Sequence, residues 1–361
     1  MVVKVSKPEL NLREKISELD KPSGVAGEAM LRAETPQEQF NLISAGRRNI
    51  LINGDFQVSQ RGDYTTASSA TQTYFVDRWY TDVGSVAYNR EQTTGIDLYG
   101  TPAISKGVKL TATASGTSYI GIRQKIENPT QYVGRTITYS GYVKSNSTNA
   151  RLITFTQGTT QVVSSNEHSG SGKWEKLSMT FTMTGNPSTA WYVDAFLSTS
   201  GVGNVAISSG DYLEVTMLQL ELGKVATEFE HRSYGEELAL CQRYYQKSYD
   251  KDGYVTGSTS LSSAGAVDLY GSSDANNVLA QVYFRTQMRD APTVTTYDPN
   301  TSNGGNAYAG RAYITSNSGA ASYNTTTNNI ASTGFRSYVP KNGGAWAAHR
   351  LIFQWQASAE L

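Results

Sequence analysis

Residues Leu213–Leu222 alternate apolar and polar, with Leu213, Val215, Met217 or Leu218, Leu220 and Leu222 available to one face. A period of two marks a half-buried strand, because successive side chains of an extended chain point to opposite sides. Gly223 ends the run, and Ser233-Tyr-Gly-Glu236 opens a helix. Ser233 is placed to bond the Glu236 amide and Glu236 to reach back, as in a capping box. Leu238, Cys241 and Tyr245 then fall on one helical face, and a second β-rich region starts after Tyr249. The stretch from Leu213 to Lys247 reads as a junction between two β units.

Upstream, residues 1–48 have a different texture. They hold 15 Asp, Glu, Lys and Arg residues, about a third of the segment, against 17% charged residues in the whole chain. Ser6-Lys-Pro-Glu9 and Thr35-Pro-Gln-Glu38 are further capping boxes with Pro in the first turn. Leu12, Ile16 and Leu19 form a narrow stripe after the first, and Phe40, Leu42 and Ile43 follow the second up to Gly46. Two short helices cannot bury a core by themselves, so their stripes must pack on something else. Residues 1–48 are read as an attachment arm.

From Asn49 the pattern turns to β. Asn49–Phe56 reads as a strand broken at Asn53-Gly54, a pair that suits a bulge or tight turn. Further strands are expected at Thr73–Thr81, Gly107–Thr113, Tyr119–Ile126, Thr136–Lys144, Arg151–Gln157, Lys173–Met183, Ala190–Leu197 and Leu213–Leu222. Short strands separated by Gly, Asn and Ser, with no helix between them, imply a two-sheet sandwich with Greek-key connections. After residue 250, Val278, Ala280, Val282 and Phe284 alternate with their neighbours, as do Leu351, Phe353, Trp355 and Ala357, giving strands of a second sandwich. Between them Asp298–Gly334 has the composition of long exposed loops studded with tyrosines. The expected fold is mainly β: a helical arm (1–48), a sandwich (49–232), a linking helix (233–249) and a C-terminal β-rich domain (250–361).

Composition narrows the function. Lys+Arg and Asp+Glu are equal at 31 each, so no global field points to nucleic acid or an anionic membrane. No apolar run reaches the ~20 residues of a membrane span. The first residues lack the apolar core of a signal peptide, which points to synthesis in the cytosol and assembly into a larger particle. Cys241 is the single cysteine, which excludes an intrachain disulfide and reads as a small apolar residue on a packed helix face.

Catalytic patterns are absent from the sequence. His168, His231 and His349 lie in different units, and no HExxH, GxSxG or phosphate loop occurs. Glu214, Glu221, Glu228 and Glu230 lie close together, but read as the solvent side of a strand and the turn after it. The chain is therefore expected to be non-enzymatic. Asp250-Lys-Asp252-Gly253 echoes part of an EF-hand loop without its remaining ligands and is read as a turn. Sugar binding needs flat apolar faces beside amides and carboxylates. Trp79, Trp174 and Trp191 offer such faces and are read chiefly as core, whereas Tyr308, Tyr313, Tyr323, Tyr338 and Trp346 sit in apparent loops and are the glycan-contact candidates.

Several strings carry a family resemblance. NILINGDF, TITYSGYVKS, KWEKLSMTFTM and YLEVTMLQLELGKVATEFEHR together resemble carbohydrate-binding jelly rolls. NLISAGRRNILINGDFQVSQRG, the following DRWY and HRSYGEELALCQRYYQK are similar to phage tail-fibre proteins. In that group a KPELNLREKI…GEAMLRAETPQEQFNL leader recurs, most often in short-tailed phages of marine cyanobacteria. The resemblance spans about residues 4–247 and thins after 250, where receptor-contacting parts of such proteins vary. It implies a virion tail protein assembled in the host cytoplasm, docked to other tail or virion proteins through the arm (Leu12, Ile16, Leu19, Phe40 and Leu42). It implies a homotrimer aligned by the linking helix through Leu238, Cys241, Gln242 and Tyr245, with the C-terminal β domain (250–361) binding a host surface polysaccharide as the receptor. Nucleic acid and membrane insertion are not among the expected partners. A structural calcium is common in such jelly rolls, but the acidic residue expected after the opening strand is Gln57 here, with Asp55 close by, so no full ligand set is present and no cofactor is expected. The competing readings are a purely structural fibre or adaptor, and a glycan depolymerase.

Overall fold

The computed structural model describes residue 39 and residues 48–62, 67–68, 73–98, 105–155, 162–184, 190–201, 203–249, 266–270, 277–299, 308–316, 319–340 and 349–361. The arm candidates Leu12, Ile16, Leu19, Phe40 and Leu42, the Asp250–Gly253 turn and Trp346 lie outside them.

The first unit is a β-sandwich of the jelly-roll kind. In chain order its strands are β1 (Ala67–Ser68), β2 (Thr73–Val76), β3 (Trp79–Val83), β4 (Tyr88–Ile96), β5 (Ser105–Ala112), β6 (Gly116–Ser118), β7 (Ile120–Lys125), β8 (Thr136–Ser145), β9 (Ala150–Phe155), β10 (Val162–Ser164), β11 (Trp174–Thr182), β12 (Tyr192–Leu197), β13 (Val205–Ile207) and β14 (Tyr212–Leu222). One sheet runs β1-β4-β5-β14-β8-β11 and the facing sheet β10-β9-β12-β7-β3-β2, all antiparallel, so consecutive strands cross repeatedly between the layers. Alternation decides what lies between them. Leu177, Met179 and Phe181 on β11 meet Val193, Ala195 and Leu197 on β12 in one core, together with Trp79 and Trp191. Both indoles satisfy their N–H inside it, Trp79 on the Asn53 carbonyl at 2.9 Å and Trp191 on Thr154 Oγ1 at 2.8 Å. Trp174 stands instead on the outer face of its sheet, half-buried, with Lys144 Nζ 5.7 Å from its ring.

Strand β14 holds the choice between Met217 and Leu218 that periodicity left open. The ladder with β8 slips between Thr216 and Gln219, and Met217 takes φ 51°. An extra residue in one strand shifts the alternation by one. Leu213 and Val215 before the bulge and Leu218 and Leu220 after it therefore all reach the same core.

Residues 48–62 were expected to open with a strand and do not form one. This buried segment runs beside β14 beyond the bulge, with Ile50 N on Leu220 O and Leu218 N on Gly54 O, both at 2.8 Å. A Cβ on Gly54 would stand 2.1 Å from the Leu218 carbonyl oxygen, so only glycine lets the two backbones approach this closely. Asn53 has φ 58° and bonds the Val58 and Asp77 carbonyls through its Nδ2.

After β14 comes helix α1 (Tyr234–Gln242), capped by Ser233, whose hydroxyl accepts from Glu236 N. The helix is shorter than the expected 233–249 segment. Tyr245–Lys247 leaves it as strand β15, which pairs with the last strand of the chain. The second unit adds β16 (Val267–Tyr270), β17 (Asn277–Tyr283), β18 (Thr293–Asp298), β19 (Tyr308–Ala309), β20 (Arg311–Ser316), β21 (Gly319–Asn324), β22 (Thr326–Ala331), β23 (Gly334–Pro340) and β24 (His349–Ser358). One sheet runs β19-β18-β24-β20-β21, with β15 and β16 also on β24, and a second runs β17-β23-β22. Val278, Ala280 and Val282 pack against Leu351, Phe353, Trp355 and Ala357 between them, as their alternation implied. The region 298–334 was expected to be loops, yet β19 to β22 lie within it. Thr-rich and Asn-rich strands with few apolar residues carry too weak an alternation to be recognised before their partners are known.

The two units are locked through the chain end. Glu360 binds Arg78 and Arg61, whose side chains are 2% and 10% exposed. Arg78 lies 3.7 Å from the Tyr244 ring and Arg61 lies 3.8 Å from the Tyr245 ring. Ala359 N bonds Tyr244 O at 2.7 Å. Removing the shared carboxylate leaves two buried guanidinium groups short of a partner, so Glu360→Ala should lower unfolding free energy by about 3 kcal/mol in denaturant titration. A loss below about 1 kcal/mol would show that the pair is screened.

Candidate functional site

The face of the β10-β9-β12-β7-β3-β2 sheet turned away from the core carries the densest chemistry among the described residues. Directly paired residues of antiparallel strands point to the same face. Ser164 pairs Ile153, Ile153 pairs Asp194, Asp194 pairs Arg123, Arg123 pairs Tyr80, and Tyr80 pairs Tyr74. One row thus crosses all six strands, about 24 Å at the usual strand spacing. The neighbouring row brings Arg151, Phe196, Gly121 and Asp82 together.

Arg123 is the centre of this face. Its Nε donates to Asp194 Oδ1 at 2.6 Å and its Nη2 to Asp194 Oδ2 at 3.3 Å, while Nη1 meets Asp82. The guanidinium lies over three rings, Tyr192 at 4.8 Å, Phe155 at 5.0 Å and Phe196 at 5.5 Å. A planar, weakly hydrated cation suits both partners at once. Ile153, Phe155 and Phe196 form a small apolar cluster under it, edged by half-buried Tyr119 and Tyr192. Tyr119 stands edge-on to Phe196 at 5.8 Å, and a Cβ on Gly121 would collide with the Phe196 ring at 1.8 Å, so the glycine makes the seat for that ring. Tyr74 and Tyr80 pack with tilted rings, centroids 5.1 Å apart, at the other end of the row. The arrangement sets aromatic faces, a charged donor and carboxylates side by side, the kinds of group that hold a hydroxyl-rich ligand, with Tyr74, Tyr119 and Tyr192 half-buried at its edges and Ile153, Asp194 and Phe196 fully buried.

Burial pushes the Asp194 carboxyl up to about 7, against the pull of Arg123. Burial likewise raises the Tyr80 and Tyr119 phenols, so both stay protonated donors.

The residues singled out from sequence are not gathered. Tyr313 pairs Ile352 on the outer face of the larger C-terminal sheet. Tyr323 pairs Ala312 and packs against the core. Tyr338 pairs Leu279 on the outer face of the opposite, three-stranded sheet. Tyr308 begins strand β19 beside Asp298. None of the four sits in the expected loop, and the two outward tyrosines are on opposite sides of the sandwich.

Of the expected inter-chain stripe, Cys241 and Tyr245 are buried inside the chain. Cys241 and Tyr245 are 0% and 5% exposed, and Tyr245 bonds Gln356 through its hydroxyl at 3.0 Å. Gln242 accepts from Gln246 through its carbonyl, and Leu238 is half-buried on the helix. The helix is held by the first sandwich through Glu237, which accepts from Asn53 N. Of the carboxylates read as solvated, Glu221 is 1% exposed and accepts from Thr227 N and Oγ1, while Glu230 accepts from Asn49 N at 2.6 Å. His168 is held by the Gly170 amide and the Lys173 carbonyl. Among the described residues no group of three or more His, Cys, Asp or Glu could hold a metal, and Asp55 is engaged by Gln57.

No protein-family model matches the chain, and no curated protein matches its sequence. Solved structures do. The enzymatically active domain of tailspike protein 4 of bacteriophage CBA120 aligns over 48% of this chain at 12% identity and TM-score 0.30, and the match spans about a fifth (21%) of that chain. The module TmCBM61, solved with β-1,4-galactotriose, aligns over 49% of this chain and 100% of its own at 12% identity and TM-score 0.31. The family 11 carbohydrate-binding module of a cellulosomal cellulase of Clostridium thermocellum aligns over 45% of this chain and 98% of its own at 11% identity and TM-score 0.27. Scores this low do not establish a common fold; the sandwich is established by its own strand register.

Below about 7 the folded protein keeps a proton on Asp194 that an unfolded carboxylate releases near 4. That difference favours the folded state as pH falls and is lost as pH rises through about 7. The melting temperature of the wild type should therefore gain on that of Asp194→Asn between about pH 8 and pH 5. Parallel curves would show that Asp194 does not titrate in this window.

Proposed function

We propose that the chain is a phage tail-fibre or similar virion appendage protein that binds a host surface glycan without cleaving it, on the Arg123 face of its first sandwich. The observation that carries the glycan reading is the six-strand row with Arg123 fixed between Asp194 and Asp82 and edged by half-buried tyrosines. Support for the virion reading is the ordered set of sequence strings that resemble those of tail-fibre proteins. On this reading residues 1–48 dock on the particle and three chains associate, with the junction around α1 holding each pair of sandwiches rigid. A second location has one observation in its favour. Tyr283, 77% exposed, shares its outer face with Tyr338 in the C-terminal sandwich.

Binding of the full chain to polysaccharide extracted from susceptible host cells separates the two locations. Tyr192→Ala should weaken it about tenfold, the scale of one lost aromatic contact of ~1.4 kcal/mol, while Tyr283→Ala leaves it unchanged. The reverse pattern would move the site to the C-terminal sandwich, and release of reducing ends would make the protein a depolymerase. For the arm, a chain lacking residues 1–46 should fold and stay soluble yet be missing from purified particles. Its incorporation at the wild-type level would remove the docking role.

A further inference from the structure

At the β9–β10 edge, next to the end of the Arg123 row, the surface dips into an open depression of about 650 Å³. Arg151, Ser164, Ser165, Asn166, Glu167 and Ser200 line it. Its wall is rigid, because Ser165 N bonds Leu152 O at 2.9 Å and Ser165 Oγ accepts from Leu152 N at 3.0 Å. The Ser164 and Ser165 hydroxyls donate to the carbonyls of Ser165 and Asn166, leaving oxygen lone pairs as acceptors. Arg151 has a side chain only 6% exposed, gives Nη2 to Glu167 Oε1 at 2.6 Å, and keeps a buried Nε with no hydrogen-bond partner. Glu167 is 57% exposed, so one carboxylate oxygen of a fixed ion pair remains open to a ligand.

We infer that this depression is an additional subsite for one uncharged sugar unit of a chain lying along the Arg123 row, with Glu167 accepting from sugar hydroxyls. The inference rests on the glycan reading above. Ser164 is both the last member of that row and part of the depression, so the depression adjoins the row. The charge pattern selects against an acidic unit. Each guanidinium here already has its own carboxylate, Arg123 with Asp194 and Asp82 and Arg151 with Glu167. A ligand carboxylate would have to displace Glu167 and desolvate beside it, whereas sugar hydroxyls donate to it.

Calorimetric titration of the full chain with β-1,4-galactotriose, xylohexaose, cellohexaose, maltohexaose and hexagalacturonate tests this. Wild type should bind at least one neutral hexasaccharide. Glu167→Gln and Ser200→Trp, both at exposed positions, should each weaken that binding about tenfold while Tyr192→Ala weakens it as well. Unchanged affinity in both edge variants with the Tyr192→Ala loss intact overturns the subsite and leaves the glycan site standing. Wild type that binds hexagalacturonate more tightly than every neutral hexasaccharide overturns the choice of an uncharged unit. Wild type that binds no member of the panel overturns the subsite together with the reading it rests on.

Discussion

A buried stretch of chain that joins no sheet must find its hydrogen bonds elsewhere, and residues 48–62 are organised by that requirement. An unpaired amide in the interior costs as much as a lost hydrogen bond. Glu230 takes Arg48 N and Asn49 N, Gln124 takes Ile52 N, and Glu237 takes Asn53 N. Asn49 caps Leu51 and bridges to both Leu218 and Leu220, and Asp77 holds Gln60 N. Each partner comes from a different part of the chain. The segment therefore ties the β14 bulge, the turn after it, helix α1 and the β2–β3 turn to one another.

That tie sets the place of the second sandwich. Helix α1 is fixed by Glu237, so Tyr244 and Tyr245 leave it in a defined direction, one over Arg78 and the other over Arg61. Strand β15 then starts the C-terminal sheet by pairing with β24, and the two arginines close the circuit on Glu360. The helix is a joint, and its Cys241 is buried within the chain. The Arg123 face lies on the same sheet as β2 and β3, so the lock at Arg78 and that face share one support.

The Arg123 face follows from the phase of alternation. On β12 the residues Val193, Ala195 and Leu197 go to the core, which sends Tyr192, Asp194 and Phe196 outward. On β7 the same choice sends Gly121, Arg123 and Lys125 outward. Each outward triplet is visible in the sequence once its strand is recognised. What makes them a site is the register that sets Asp194 opposite Arg123 and leaves room at Gly121 for a ring.

The sequence by itself determined the β class, the two sandwiches, the cap at Ser233 and the core phase of β17 and β24. These depend on local alternation and capping chemistry, which act between residues close in the chain. It did not determine that Asn49–Phe56 stays out of the sheets, that Tyr245 is buried at a joint, or that the tyrosines near the C-terminus separate onto different faces. The first two outcomes depend on pairings between residues more than a hundred positions apart, such as Glu237 with Asn53 and Glu360 with Arg78, and the third on the Tyr313–Ile352 and Leu279–Tyr338 registers within the C-terminal unit. Alternation tells which side chains share a face, but only the tertiary register decides which face meets another and which is left to bind.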